Sequence, residues 1–420
     1  MTRGRLVLAA AAVLLLISTA AIGLLPSPHA HVARFLLCYG VAFAAYLVSV
    51  RVVLHARAAV VSPVLLLAVC AVAHALLIPA RPDLSTDVYR YAWEGHVILH
   101  GYNPFAVAPN DTTLAGLRNS DYPFVSHPHM PTIYPPLAQG VFALGAWLHP
   151  GVTTLKVLFS LFNLATVLVL FRLLKRRNLP AAYAAMFAWN PLVIVETAHS
   201  GHVDALVALL LVLGLDLWEG KRRVSAGVLL GAAVLSKYFA ASMMPWLARR
   251  RQLLILAVIA AVVVAGYLPF AHAGGRLFYS LREYSENWRF NGPPFLALSR
   301  FLGDQMMVRR LLAGAGIAFA VAAAFRERDL ARYLYLVTAC MLLVSPTVYP
   351  WYMISLMPLL CLFRNRAWIA FSGLVMLSYL VWNTYNATGA WMLPSGWLAL
   401  EYVPFYALLL AGVARGRETA

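Results

Sequence analysis

Apolar residues run unbroken through most of this chain, and polar residues collect in the gaps between the runs. The apolar runs occupy 6–25, 34–54, 59–79, 152–174, 181–198, 203–218, 252–272, 311–325, 330–346, 351–363, 367–388 and 397–414. A helix needs about 20 apolar residues to cross the hydrocarbon core. The longer runs meet that length, and the shorter ones leave their ends unfixed. The first run follows Arg3 and Arg5. Its length exceeds the roughly 7–15 residues of a signal core, which predicts a retained helix. Two stretches break the pattern. The run 136–149 is short and predicts a helix that dips into the membrane without crossing it. The stretch 224–248 is interrupted by Ser236-Lys237 and predicts two short helices meeting near Lys237.

Composition agrees with this pattern. Of 420 residues, 62% are hydrophobic and 12% charged, against roughly 45–50% and 25% in soluble proteins. The expected class is therefore an all-α polytopic membrane protein of about 14 (12–14) transmembrane helices, a single unit over 1–420. The net charge of +17 would suggest nucleic acid in a soluble chain. Here the basic residues cluster between apolar runs, as the positive-inside rule requires, so no nucleic-acid partner is expected. The clusters Lys175-Arg176-Arg177, Lys221-Arg222-Arg223, Arg249-Arg250-Arg251, Arg326/Arg328, Arg364/Arg366 and Arg415/Arg417 then face the cytoplasm. Both termini fall on that side of the plasma (inner) membrane. The polar stretches 80–135 and 273–310 become outer loops with amphipathic helices on the surface. The four cysteines all lie inside apolar runs, where buried packing is their expected role.

The outer side collects the residues with chemical potential. Asp87-Val-Tyr-Arg-Tyr-Ala-Trp-Glu94 is bounded by Ser85 or Thr86 as a cap and by Gly101 as a stop. At about 100° per residue, Asp87, Arg90, Tyr91 and Glu94 share one face, expected to be wet and charged. Arg90 stands three residues after Asp87 and four before Glu94, so the face reads either as a reactive surface or as an ion-pair ladder. A second cluster, Glu196-Thr-Ala-His199-Ser-Gly-His202-Val-Asp204, sits at a turn between two apolar runs. His199 and His202 with Glu196 or Asp204 make a candidate divalent-metal set, or polar groups lining a helical hairpin. No cofactor is otherwise implied. Lys237 between two half-spans needs an anion, either a carboxylate or a phosphate. Arg276, Arg282 and Arg289 are further phosphate candidates in the second outer stretch. Tyr134-Pro-Pro and Tyr349-Pro-Trp351-Tyr352 are aromatic turns, fitting an interfacial belt or a sugar or prenyl site. No nucleotide-binding or hydrolase motif is present in the sequence.

Several segments together resemble the integral-membrane GT-C glycosyltransferases. They are Asp87-Val-Tyr-Arg-Tyr-Ala-Trp-Glu94-Gly, Gly101-Tyr-Asn-Pro-Phe105, Ile133-Tyr-Pro-Pro-Leu-Ala-Gln139, Trp189-Asn-Pro-Leu192, Gly201-His-Val-Asp-Ala-Leu206 and Ser345-Pro with Pro350-Trp-Tyr352. The resemblance is strongest to the bacterial branch of polyprenyl-phosphate-mannose-dependent mannosyltransferases. Val203 stands where relatives often have Asn, and Tyr349 where many have His. The resemblance implies a sugar taken from a polyprenyl monophosphate on the extracytoplasmic face, with an acidic residue of the first outer loop, matched by Asp87, at the centre.

Chemistry and resemblance then assign the same parts. Asp87, with Glu94 as its neighbour and rival, is the catalytic carboxylate. Lys237, Arg282 and Arg289 are expected to hold the donor phosphate. Arg90, Tyr91, Tyr134, His202, Asp204, Trp351 and Tyr352 are expected to bind substrate. The expected reaction moves a hexose, mannose, to a glycan or glycolipid acceptor with inversion, in contact with membrane lipid. The competing class is a lipid-linked sugar flippase or ion-coupled transporter. It would show interrupted helices in corresponding halves, whereas only one interrupted stretch is found.

Overall fold

The computed structural model describes residues 3–55 and 61–414. The Arg415/Arg417 cluster lies outside the described residues. Regular structure among the described residues is helical, apart from isolated bridges that join Phe290 and Asn291 to Thr347. Among the described residues, seven helical stretches are long and apolar enough to cross a membrane, including Arg3–Gly23, Val32–His55, Val152–Arg176 and Gln305–Arg326. The protein is an all-α polytopic membrane protein.

Helix α1 (Arg3–Gly23) packs on both α2 (Val32–His55) and α3 (Pro63–Leu77). The polar segment after them opens with α4 (Asp87–Leu99). It closes with α5 (Pro136–Leu148), whose 13 residues span only about 20 Å. The amides of Leu137 and Ala138 bond to the carbonyl of Leu235 (2.9 and 3.4 Å). This pins the start of α5 to the break in the 224–248 stretch. Helix α6 (Val152–Arg176) has 25 residues.

Several expected continuous spans prove to be broken. The 181–198 run consists of a 3-10 turn over Ala181–Ala184, two single turns, α7 (Ala185–Ala188) and α8 (Pro191–Ile194), and a π-helical turn over Val195–His199. Pro191 ends the first piece, and the Asn190 side chain caps the second by accepting from the amides of Leu192 and Val193. Helix α9 (Asp204–Glu219) follows. The 224–248 stretch forms α10 (Arg223–Val234), an extended Lys237, a 3-10 turn and α11 (Met244–Arg249), so the break does fall at Lys237.

Helix α12 (Leu253–Tyr267) leads into α13 (Tyr279–Asn287) and α14 (Pro293–Leu302). Helix α15 (Gln305–Arg326) starts six residues earlier than the apolar run that predicted it. The Asp304 carboxylate caps it by accepting from Met306 and Met307. The chain finishes with α16 (Leu330–Val344), α17 (Met357–Phe363), α18 (Arg366–Leu374), α19 (Val381–Thr388) and α20 (Ser395–Ala414).

The two ends of the bundle differ in chemistry. At one end, Arg172 and Arg176 pair with Asp216, and Arg177 pairs with Glu219 and Asp329. Arg250 and Trp246 donate to the Glu327 carbonyl beside them. Helix α9 runs from this end to Asp204, and α10 runs from Arg223 to the Lys237 break. Asp204, Lys237 and the start of α4 therefore share the other end.

Helices α4 and α5 cross where α4 has no side chain. A Cβ on Gly95 would lie 2.1 Å from the Phe142 carbonyl oxygen. Backbone cannot yield as a flexible side chain can. Gly95→Ala is expected to cost about 1–3 kcal/mol of stability, seen as a lower melting temperature in detergent. An unchanged melting temperature would show that the crossing is looser than this.

Candidate active site

Helix α4 begins where Ser85 accepts a hydrogen bond from the Asp87 amide (3.3 Å). Asp87 is the first helical residue, where the helix dipole favours an ionised carboxylate. The expected wet face exists only at Asp87, whose side chain is 25% exposed. Arg90, Tyr91 and Glu94 are buried. The Arg90 guanidinium donates to Glu94 (2.6 Å) and to the carbonyls of Ser126, His127 and Met130 (3.1, 2.9 and 2.7 Å). Glu94 also accepts from Thr132 (2.8 Å) and from the Gln139 amide (2.6 Å). The pair folds the 126–139 segment against α4, so its partners are internal. Tyr91 stacks on Phe142 (4.5 Å) and meets the edge of Tyr134 (4.8 Å), which places it in the packing beneath the site.

Glu94→Gln leaves the buried Arg90 cation without a carboxylate. Breaking one partner of a buried pair costs about 3–5 kcal/mol. The variant is expected to lose stability before it loses chemistry. Its melting temperature should fall well below wild type, and a full-strength melting transition with abolished turnover would instead place Glu94 in the reaction.

Two segments contact the Asp87 side chain, and a third brings a cation near it. From the 126–139 segment, the Tyr134 hydroxyl donates to it at 3.5 Å. From the turn after α8, His202 Nδ1 lies 3.9 Å from its Oδ2. Gly201 allows that approach: its φ is +74°, and a Cβ there would sit 2.8 Å from Val88 Cγ2. The far side of His202 faces Glu196 at 3.3 Å, and its ring stacks on Trp351 at 3.9 Å. Glu196 is buried and accepts from the Tyr379 hydroxyl (2.8 and 3.0 Å). From the α10–α11 break, Lys237 Nζ pairs with Asp204 (2.5 Å) and sits over the Tyr352 ring (4.4 Å). The Tyr352 hydroxyl in turn bonds to that of Tyr284 on α13.

Electrostatics make Asp87 more basic than a free carboxylate. Burial pushes its carboxyl up to about 6, with Lys237 and Arg90 pulling it down and Asp204 adding to the rise. A carboxyl in that range is a stronger base than a free one and is still largely ionised near neutral pH.

The other sequence candidates separate. Arg282 is 78% exposed and pairs with Glu286 on its own helix (2.9 Å). Arg289 is exposed as well. Tyr284, two residues from Arg282 and so on the opposite face of α13, reaches the site instead. The candidate metal set does not assemble. Among the described residues, no three His, Cys, Asp or Glu side chains converge in a metal-holding arrangement. His199 is buried, without a hydrogen-bond partner for either ring nitrogen.

Sequence reasoning missed Tyr284 and Lys156. Lys156 is fully buried and donates to the carbonyls of Leu77, Ile78 and Ala80 (3.1, 2.8 and 2.5 Å). It therefore fixes the turn that delivers the chain to Asp87. The available signal was a lone lysine inside the long apolar run of α6, since an ionisable group in a span is retained for a reason.

The assembly can therefore present a partly exposed carboxylate, a cation with 27% of its side chain exposed and several flat rings to a substrate. The sequence model of glycosyltransferase family 87 matches residues 132–346. That span includes Tyr134, Glu196, His202, Asp204, Lys237 and Tyr284. Asp87 and Trp351 lie outside it. Among curated proteins and among solved structures, none matches the chain.

Proposed function

Because the chain belongs to glycosyltransferase family 87, we propose that it moves a hexose, mannose, from a polyprenyl monophosphate to a hydroxyl of an extracytoplasmic glycan or glycolipid. The observation that carries this reading is the placement of Asp87 and Lys237 together at one end of an apolar bundle, with Tyr134 against Asp87 and the Tyr352 ring against Lys237. Asp87 takes the acceptor hydroxyl proton as the oxygen bonds to the anomeric carbon. The bond from that carbon to the phosphate oxygen breaks, and the prenyl phosphate leaves with the electron pair. Lys237 stabilises the charge that grows on the phosphate. One displacement from behind inverts the anomeric centre. The prenyl tail stays in the bilayer against the apolar helix surfaces.

Supporting the sidedness, Arg172, Arg176, Arg177 and Arg250 gather at the end opposite Asp87, as the positive-inside rule requires of a cytoplasmic end. We place the Asp87 end outside the plasma membrane and both termini inside, with about 14 crossings. Single cysteines at Lys221 and at exposed Ser120, on a background lacking the native cysteines, report this directly. An impermeant thiol reagent on intact cells is expected to label Ser120→Cys and spare Lys221→Cys. The reverse order would overturn the orientation.

The donor is tested with purified protein and a short-chain prenyl-phosphate mannose beside nucleotide-activated mannose. Transfer from the lipid donor alone, giving an α-linked product from a β-linked donor, is the expected result. Transfer from the nucleotide donor would refute the reading.

A further inference from the structure

Near the Asp87 end, the 381–397 segment carries rings that the proposed chemistry does not use. Trp382, Tyr385 and Trp391 meet edge to face in every pairing, with centroids 4.9 Å (Trp382–Trp391), 5.6 Å (Trp382–Tyr385) and 5.5 Å (Tyr385–Trp391) apart. Trp382 anchors the group: its indole N–H donates to the Leu84 carbonyl (3.2 Å), and its ring packs on His29 (5.0 Å). The group thus sits beside the turn that enters α4. Tyr385 and Trp391 remain 43% and 39% exposed.

These rings connect to the site. Trp391 approaches Phe290 at 5.9 Å. From Phe290 a nearly parallel stack runs through Tyr349 (4.9 Å), Trp351 (4.4 Å) and His202 (3.9 Å). His202 then faces Asp87 at 3.9 Å. Scattered rings of an interfacial belt have no need of such a path. The segment is also neutral: no charged side chain lies between Arg366 and Glu401. Exposed Asn383 and Asn386 add amide groups at its rim.

We propose that Tyr385 and Trp391 form a subsite for the carbohydrate chain of the acceptor. They stack on a neutral hexose lying beyond the one whose hydroxyl meets Asp87. A pyranose ring offers an apolar face of C–H groups with hydroxyls at its rim. Flat uncharged rings with nearby amides match both features, and aromatic faces give large contact area at little entropic cost. The proposal rests on the reading of Asp87 as the site of glycosyl transfer. It adds that the acceptor is an oligosaccharide, recognised through more than its terminal sugar.

The test uses the full-length protein and two probes, methyl α-mannoside and a methyl α-mannotrioside, in equilibrium dialysis without donor. The wild type is expected to bind the trioside roughly tenfold tighter than the mannoside, the scale of one aromatic ring contact. Trp391→Ala and Tyr385→Ala are each expected to remove most of that advantage and leave mannoside binding unchanged. Trp391→Phe, which keeps a ring and guards against a folding defect, should retain most of it. Equal binding of the two probes by the wild type, or an advantage that survives both alanine variants, would overturn the subsite. The readout needs no donor, so an error in the donor assignment leaves it standing. Conversely, unchanged mannose transfer to the mannoside by the variants preserves the proposed reaction if the subsite fails.

Discussion

Asp87→Asn is expected to lower sugar transfer by about 10²–10⁴-fold, the typical loss for removal of a general base, while the protein still binds donor. An acceptor hydroxyl is a weak nucleophile until its proton is taken. Asp87 is the carboxylate at the site whose side chain keeps some exposure, at 25%. Glu94, Glu196 and Asp204 are buried and already engaged, respectively by Arg90, by Tyr379 and by Lys237. Asparagine keeps the shape and the contact with Tyr134, and it removes the basic lone pair. The loss should therefore appear in kcat, with donor affinity and melting temperature close to wild type. Turnover within a few fold of wild type would remove Asp87 from the role of base.

Lys237→Met is expected to act twice, because Lys237 faces both a carboxylate and the proposed phosphate position. It leaves Asp204 buried without its cation. Such a break costs about 3–5 kcal/mol, and the lower figure applies because Lys237 keeps 27% of its side chain in solvent. It also removes a charge-assisted contact worth about 1.5–3 kcal/mol, or roughly 10–150-fold in donor Kd. The double variant Lys237→Met/Asp204→Asn separates the two effects. It should recover most of the melting temperature and none of the donor affinity. Recovery of both would make Lys237 a counter-ion of Asp204 and nothing more.

Much of this arrangement was legible before the fold, and the exceptions share a cause. Apolar run length marked the long helices, and the polar Ser236-Lys237 step marked the break between α10 and α11. Ser85 and Asp87 marked the start of α4. These are local signals. The expected wet face of α4 failed because a helical wheel says which residues align and not what covers them. The cover for Arg90 and Glu94 comes from 126–139, some forty residues on. Arg282 and Tyr284 lie on one short helix, and their opposite fates depend on which side of α13 meets the turn at Tyr352. Lys156 hides for the same reason, since its three carbonyl partners belong to α3 and the turn after it. The broken 181–198 run was missed differently. Its residues are mostly apolar, so hydropathy averaged over the Asn190-Pro191 stop that makes room for the π-helical turn carrying Glu196 and His199.

The pH dependence of kcat/KM for the wild type tests the central assignment most directly, because that quantity reports the ionisation of the free enzyme. The basic form of Asp87 is the active one, and its carboxyl is held at about 6. Activity is therefore expected to be level above pH 7 and to fall tenfold per unit as the pH drops below about 6. In Asp87→Asn the residual rate should lose that acid limb. An acid limb near the ordinary carboxyl value of about 4, or one that persists unchanged in Asp87→Asn, would contradict Asp87 as the base.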